Sequence, residues 1–184
     1  MTPHPGDHFR STTGPATGPA TGPTIGPTIG QVPGRTRLRI RRATEDDLPN
    51  LARLDEQAFP HGPYPFFVLR QLITAFPDFL LLVEEDSEVH GYVLATSPHE
   101  AQSWILSLAI APALRGRGLG RQLMTGILSR LRVQGTHSVW LSVEPGNEKA
   151  VALYLSLGFA PDPGGPRKDY FGPGEDRLLM SLTL

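Results

Sequence analysis

Leu108-Ala109-Ile110-Ala111-Pro112-Ala113-Leu114-Arg115-Gly116-Arg117-Gly118-Leu119-Gly120 passes from an apolar strand through a glycine-rich bend into a helix that reads from Gln122 to Gln134. Glycines at the bend let backbone N–H groups turn toward a ligand with no Cβ in the way. The helix behind them aims its uncompensated N–H groups and the positive end of its dipole at the same point. Arg115, Arg117 and Arg121 add fixed positive charge. The stretch reads as an anion cradle, and a pyrophosphate is its natural guest.

Three phosphate-binding patterns compete for this loop. A nucleotide-hydrolysing loop needs Gly-Lys-Ser/Thr at its end to hold the β- and γ-phosphates and magnesium. This one ends Gly118-Leu119-Gly120-Arg121. The dinucleotide pattern Gly-x-Gly-x-x-Gly has a strand before it and an acid, Glu144, after the next strand, but its third glycine is missing. Counted from Gly116 the sixth place is Arg121, and counted from Gly118 it is Leu123. The pattern Arg/Gln-x-x-Gly-x-Gly/Ala fits without exception as Arg115-x-x-Gly118-x-Gly120, and it resembles the coenzyme A loop of the GCN5-related N-acetyltransferases (GNAT).

The flanking sequence is similar to the same family over about Arg37 to Leu184. Gly91-Tyr92-Val93-Leu94-Ala95 resembles its third strand, Leu106 to Pro112 its fourth and Ser138 to Val143 its fifth. Asn147-Glu148-Lys149-Ala150, leading to Leu153-Tyr154 and Gly158-Phe159, resembles its Asn…Ala…Leu-Tyr…Gly-Phe signature. The end of the chain, from Arg167-Lys168-Asp169-Tyr170-Phe171 to Leu178-Leu179-Met180, is most like the N-terminal acetyltransferase branch, including bacterial enzymes that modify a ribosomal-protein alanine.

Composition sets blander bounds. With 184 residues, 39% hydrophobic content and a formal charge of −1, the chain has room for one domain of ordinary size and lacks the basic surplus of a nucleic-acid binder. It has no cysteine, which excludes disulfides, thiolate metal sites and an acyl-cysteine intermediate, so acyl transfer would be direct. No metal is expected. No apolar stretch approaches membrane-spanning length and no signal peptide is legible, so a cytoplasmic location is expected and a membrane is not. Nothing in the sequence fixes an oligomeric state.

Residues 1–34 read separately. A Gly-Pro-x-x repeat with a period of four, and almost no large apolar residues, cannot bury enough surface to offset ordering entropy; a disordered Gly/Pro/Thr-rich tail is expected. The domain is expected over residues 35–184. Leu38 and Ile40 alternate with arginines as in a half-buried strand. Thr44-x-x-Asp47 reads as the cap of a helix with Leu48, Leu51, Leu54 and Ala58 on one face. A second helix runs roughly from Phe66 to Ala75, a strand from Phe79 to Val83, a turn through Glu85-Asp86-Ser87 and a return strand from Val89 to Thr96. The order β, α, α, β, β, β, loop, α, β, α, β, β gives an α/β fold: one mixed, mostly antiparallel sheet flanked by helices.

The resemblance implies a site. The fourth and fifth strands would splay, and the pantetheine of acetyl-CoA would enter the gap and pair with backbone around Leu108, Ala109 and Ile110. The run Arg115, Gly116, Arg117, Gly118, Leu119, Gly120, Arg121 would hold the pyrophosphate. Tyr154 occupies the family position for a donor to the leaving sulfur, and Asn147 would bind cofactor or cap its helix. A phenol near pKa 10 giving its proton to a thiolate near 8.5 costs about 2 kcal/mol, which favours a strong hydrogen bond over full transfer. At the fifth-strand position where the ribosomal alanine enzymes carry glutamate, this chain has Ser142. Glu144, two residues on and about 7 Å further along the same face of a regular strand, is the expected base, acting through water. His61, in the loop expected to line the acceptor site, is a second candidate and, with Tyr170, an expected acceptor-binding residue.

A weakly based site suits an acceptor that is already partly neutral. A peptide α-amine near pKa 8 meets that condition, whereas lysine near 10.4 would need about 4 kcal/mol of deprotonation. The expected activity is therefore direct acetyl transfer from acetyl-CoA to a primary amine, foremost a protein or peptide N-terminus. A small-molecule amine acetyltransferase and a non-catalytic acyl-CoA-binding module are the alternatives, with an NAD-dependent oxidoreductase the remaining rival.

Overall fold

A computed structural model describes residues 38–184. The tail expected over residues 1–34 lies outside the described residues, as do residues 35–37. The elements follow the expected order: β1 (Arg39–Arg42), α1 (Leu48–Ala58), α2 (Phe66–Ala75), β2 (Leu80–Glu85), β3 (Glu88–Ala95), β4 (Gln102–Ile110), α3 (Leu119–Val133), β5 (Ser138–Val143), α4 (Glu148–Ser156), β6 (Ala160–Pro161) and β7 (Leu178–Thr183). The strands form one sheet in the order β1-β2-β3-β4-β5-β7-β6. Among the described strands β4 and β5 alone run parallel.

Alternation along the central strands builds two cores. Leu81, Val83 and Val93 face α3, where Leu123, Met124, Ile127 and Leu131 are buried. Leu80, Leu82, Tyr92 and Leu94 face the opposite way, against Leu48, Leu51 and Leu54 of α1 and Leu69 and Ile73 of α2. A strand covered on both faces must be apolar at every position, which is why Leu80 to Val83 is an unbroken buried run. In β5 only alternate residues, Val139, Leu141 and Val143, are buried. Trp140 on the other face stacks on Trp104, with ring centroids 5.9 Å apart.

The entry to α1 is held by charge. The Asp47 carboxylate accepts the Thr44 amide at 2.8 Å and the Thr44 hydroxyl at 3.0 Å, within the capping box that the two residues form. Arg41 of β1 grips Asp47 with two bonds of 2.7 and 2.8 Å and also binds Glu84 of β2. This arginine holds the Asp47 carboxyl below its ordinary pKa.

One irregularity positions the site. Leu94 of β3 pairs with Ser107 but Ala95 pairs with Ile105, so β4 carries one extra residue, Leu106. A bulge bends its strand and resets which side chains face which way. Ile105 belongs to the α3 core, yet beyond the bulge Leu108 and Ile110 lie on that side, while Ala109 joins the α1/α2 core. The parallel pairing with β5 ends at the same place, at Ile105↔Leu141. The two strands therefore part over Leu106–Ile110 and Ser142–Val143, as expected of the fourth and fifth strands.

The free end of β4 is seated by Gly91 of β3. A Cβ there would lie 2.6 Å from Ile110 Cδ1 and 2.9 Å from the Ala109 carbonyl oxygen. Replacing Gly91 with Ala is expected to push β4 off β3 and lower stability by about 1–3 kcal/mol, read as a Tm lower by roughly 3–10 °C. An unchanged Tm would contradict the close seating.

Candidate active site

Where β4 and β5 part, a cavity of about 1540 Å³ opens, walled by the α1–α2 connection, both diverging strands, the glycine loop, α4 and the β6–β7 hairpin. The loop is built as a cradle. Gly116 and Gly118 have φ of +82° and +79°, and a Cβ on either would meet nothing within 4 Å, so both turn the chain and leave open space in front of it. Gly118 is the N-cap of α3 and supplies no side-chain cap, so the first amides of α3 lack intrahelical partners.

Gly120 has a different job. A Cβ there would lie 3.3 Å from Leu153 and 3.9 Å from both Ile110 and Leu108, so it lets α3 approach β4 and α4 closely. The dinucleotide pattern assigns that close approach to its third glycine; here it is met one place earlier. Leu119 is 2% exposed and packs in the α3 core, leaving only its backbone to face the cavity. Arg115 donates to the Ile110 carbonyl at 3.2 Å, and Arg121 donates to Ser156. Both arginines line the cavity; Arg117 is exposed but is not on the wall. Leu108, Ala109 and Ile110 form the β4 wall.

The far wall carries Tyr154 and Asn147. Asn147 caps α4, its Oδ1 accepting the Ala150 amide at 3.2 Å. Tyr154 is buried on α4, with Phe159 packed against its ring at 5.9 Å. Burial pushes its phenol up to about 12, so it enters the cavity as a neutral hydrogen-bond donor.

Candidates for proton removal come from two sides. Ser142 is half-buried at the end of β5, and Glu144 just beyond it is exposed, its Oε1 directed toward the turn at Gly146. His61 is exposed on the α1–α2 connection, between Pro60 and Gly62. All three line the cavity. Tyr170 does not. Its neighbour Phe171 does, 62% exposed, with the Arg177 guanidinium 4.8 Å above its ring. Phe59 and Arg177 carry no site role in the sequence, and Phe171 stands there only as the neighbour of Tyr170, because nothing in their local pattern separates them from ordinary surface residues. Among the described residues no group of three or more His, Asp or Glu is gathered to hold a metal, and no helix is long and apolar enough to cross a membrane.

Comparison with known proteins places this geometry. The model of the acetyltransferase (GNAT) family matches residues 43–159, more than half of the chain. A mycothiol acetyltransferase of Renibacterium salmoninarum is 38% identical over 87 residues, 45% of this chain and 26% of that protein. The [ribosomal protein bS18]-alanine N-acetyltransferase of Haemophilus ducreyi is 30% identical over 109 residues, 57% of this chain and 72% of that protein. The crystal structure of a ribosomal-protein-alanine N-acetyltransferase from Brucella melitensis superposes with a TM-score of 0.67 at 28% identity, covering 80% of this chain and all of that one. The chain thus spans about a quarter of one such relative and most of another.

The open space before Gly118 makes it the sharpest probe of the cradle. Gly118→Val forces a branched side chain into the left-handed region, at a cost of about 1–2 kcal/mol, and fills the approach to the α3 amides. Calorimetry is expected to show CoA affinity reduced at least tenfold while the protein still folds. Tight NAD binding without CoA binding by the parent would contradict the assignment of the cradle.

Proposed function

Since the chain belongs to the GNAT acetyltransferase family, we propose that it moves the acetyl group of acetyl-CoA directly to a primary amine, with a protein or peptide N-terminal α-amine as the preferred acceptor. The observation that carries this reading is the parting of β4 from β5 at Ile105↔Leu141, with the glycine cradle at one end of the gap and the neutral Tyr154 phenol on its wall. Acetyl-CoA supplies a thioester whose sulfur must leave as the amine attacks. The protein's part is to hold the donor, present the amine and stabilise the charge that develops.

The backbone of Leu108 to Ile110 offers a strand edge to the extended arm of the donor, and the α3 amides with Arg115 and Arg121 face its phosphates. Tyr154 donates toward the departing sulfur. Giving its proton away outright from about 12 to a thiol near 8.5 would cost ~5 kcal/mol, so the hydroxyl stabilises the thiolate by hydrogen bonding and keeps its proton. The amine enters between the α1–α2 connection and the β6–β7 hairpin, past Phe59, His61 and Phe171. Glu144, Glu175, Asp176 and His61 are the wall groups with a carboxylate or imidazole able to take a proton directly.

Support for an N-terminal acceptor comes from the similarity to ribosomal-protein alanine N-acetyltransferases in both sequence and structure. The similarity to a protein named for mycothiol keeps a small-molecule acceptor as the second reading. A panel of N-terminal peptides and small amines, scored by acetyl-CoA consumption, separates the two.

Tyr154→Phe removes one hydroxyl and little volume. It is expected to lower kcat at least tenfold, with acetyl-CoA affinity within twofold of the parent. A variant as fast as the parent where chemistry limits the rate would return Tyr154 to a packing role.

A further inference from the structure

Behind the acceptor side of the cavity lies a line of polar groups that the reading above does not use. Asp55 of α1 is fully buried. Its Oδ2 accepts the Tyr64 amide at 2.6 Å, and its Oδ1 accepts the hydroxyl of Tyr92, which is also fully buried, on β3. The Tyr92 oxygen lies 2.8 Å from Ser107 Oγ. Ser107 follows the β4 bulge and is the one member of the three that lines the cavity.

Hydrogen counting gives this line a direction. An ionised carboxylate only accepts, and a tyrosine hydroxyl has one hydrogen. The Tyr92 hydrogen is committed to Asp55, so the bond between Tyr92 and Ser107 must use the hydrogen of Ser107. The lone pairs of Ser107 are then left for the cavity. A carboxylate with no outlet could be replaced by an apolar pair at little cost, since burying it is expensive; here its charge is relayed through two hydroxyls to the wall beside the incoming amine.

We propose that Ser107, Tyr92 and Asp55 form a proton wire that receives the proton lost by the acceptor amine. The proposal rests on the acetyl-transfer reading. In one concerted step an N–H bond of the protonated amine breaks as Ser107 Oγ gains a hydrogen, Ser107 passes its original hydrogen to Tyr92, and Tyr92 passes its own to Asp55 Oδ1; the second proton, shed once the freed amine has attacked, leaves with the departing sulfur as the thiol. Neither hydroxyl becomes charged, and Asp55 becomes a neutral acid. The reverse relay, through Ser107 to water once the product has left, restores the carboxylate. Ser107 is the catalytic residue of the three, and Tyr92 and Asp55 act through it.

The surroundings of Asp55 suit this use. Burial raises its pKa, opposed by the hydrogen bonds from Tyr92 and Tyr64, and Glu56, its neighbour on α1, pushes in the same direction as burial. The groups bearing on it from β3 and from the α1–α2 connection, Tyr92 and Tyr64, are neutral phenols, both raised by burial. The raised carboxyl stands closer to the range of an amine than an exposed one would, which makes the transfer less uphill.

The test is the pH dependence of kcat/KM with an N-terminal peptide as acceptor, for the parent, Ser107→Ala, Asp55→Asn and the double variant. With the wire intact the enzyme can use the protonated amine, and the parent profile should stay nearly flat below the amine's pKa of about 8. Without it only the neutral amine reacts, so the variants should lose about tenfold per pH unit below that point, approaching a 100-fold deficit near pH 6. At pH 9 all should agree within about threefold. Because the wire is in series, the double variant should be no slower than the worse single one. Acetyl-CoA affinity should be unchanged throughout, and Ser107→Ala, which leaves the Asp55–Tyr92 bond in place, should melt like the parent even if Asp55→Asn does not fold.

A Ser107→Ala profile that follows the parent's overturns the wire, as does loss of the flat region in Glu144→Gln or His61→Ala alone. A parent that acetylates no amine at any pH instead overturns the acetyl-transfer reading, and the wire falls with it.

Discussion

One extra residue in β4 sets the rest of the site. Leu106 has no place in the regular ladder between β3 and β4, so the strand bends there, and its parallel pairing with β5 stops at the preceding residue. The gap that results exposes backbone groups of two strands inside the sheet. Unpaired backbone in such a position is costly unless a ligand or water satisfies it. Beyond the same bend Ile110 lies beside Gly120 of the glycine loop, and Ser107 lies against the Tyr92 hydroxyl. The gap in the sheet, the seat of the glycine loop and the Ser107–Tyr92 contact thus all lie at one local insertion.

The two faces of the sheet divide the labour. On one face α3 and α4 close over Val139, Leu141 and Val143, and Tyr154 packs into that core with its hydroxyl at the boundary. On the other, α1 and α2 cover β2, β3 and part of β4. Beyond that cover Trp104 and Trp140 stack, and Ser142 stands half-buried. A ligand arm in the gap would therefore be gripped from the α3 side, with its end open to approach past α1.

Much of this fold was legible because it depends on local chemistry. The period of Leu48, Leu51 and Leu54, the breakers Pro60 to Pro65 and the Asp86-Ser87 turn mark elements that depend on neighbours in sequence; Asp86 and Ser87 do take φ of +50° and +66°. α3 begins at Leu119 rather than Gln122 because Gly118, already left-handed, serves as its cap. β4 begins at Gln102 rather than Leu106 because Ser103 and Ile105 pair with β5, a contact between distant segments that local periodicity cannot reveal. The bulge is hidden for the same reason. Asp55 sits 37 residues from Tyr92 and, in the run Asp55-Glu56-Gln57, passes for part of a solvated helix face. At the hairpin, Tyr170 and Phe171 look interchangeable in sequence, yet Phe171 lines the cavity and Tyr170 does not.

Amide hydrogen exchange, measured with and without CoA, tests the central claim most directly. If the ligand arm completes the interrupted ladder, exchange should slow in peptides covering Leu106–Gly120 and Ser142–Val143, with β1 and β2 unaffected. Tight CoA binding with no protection of Leu106–Ile110 would contradict a ligand seated between the parted strands.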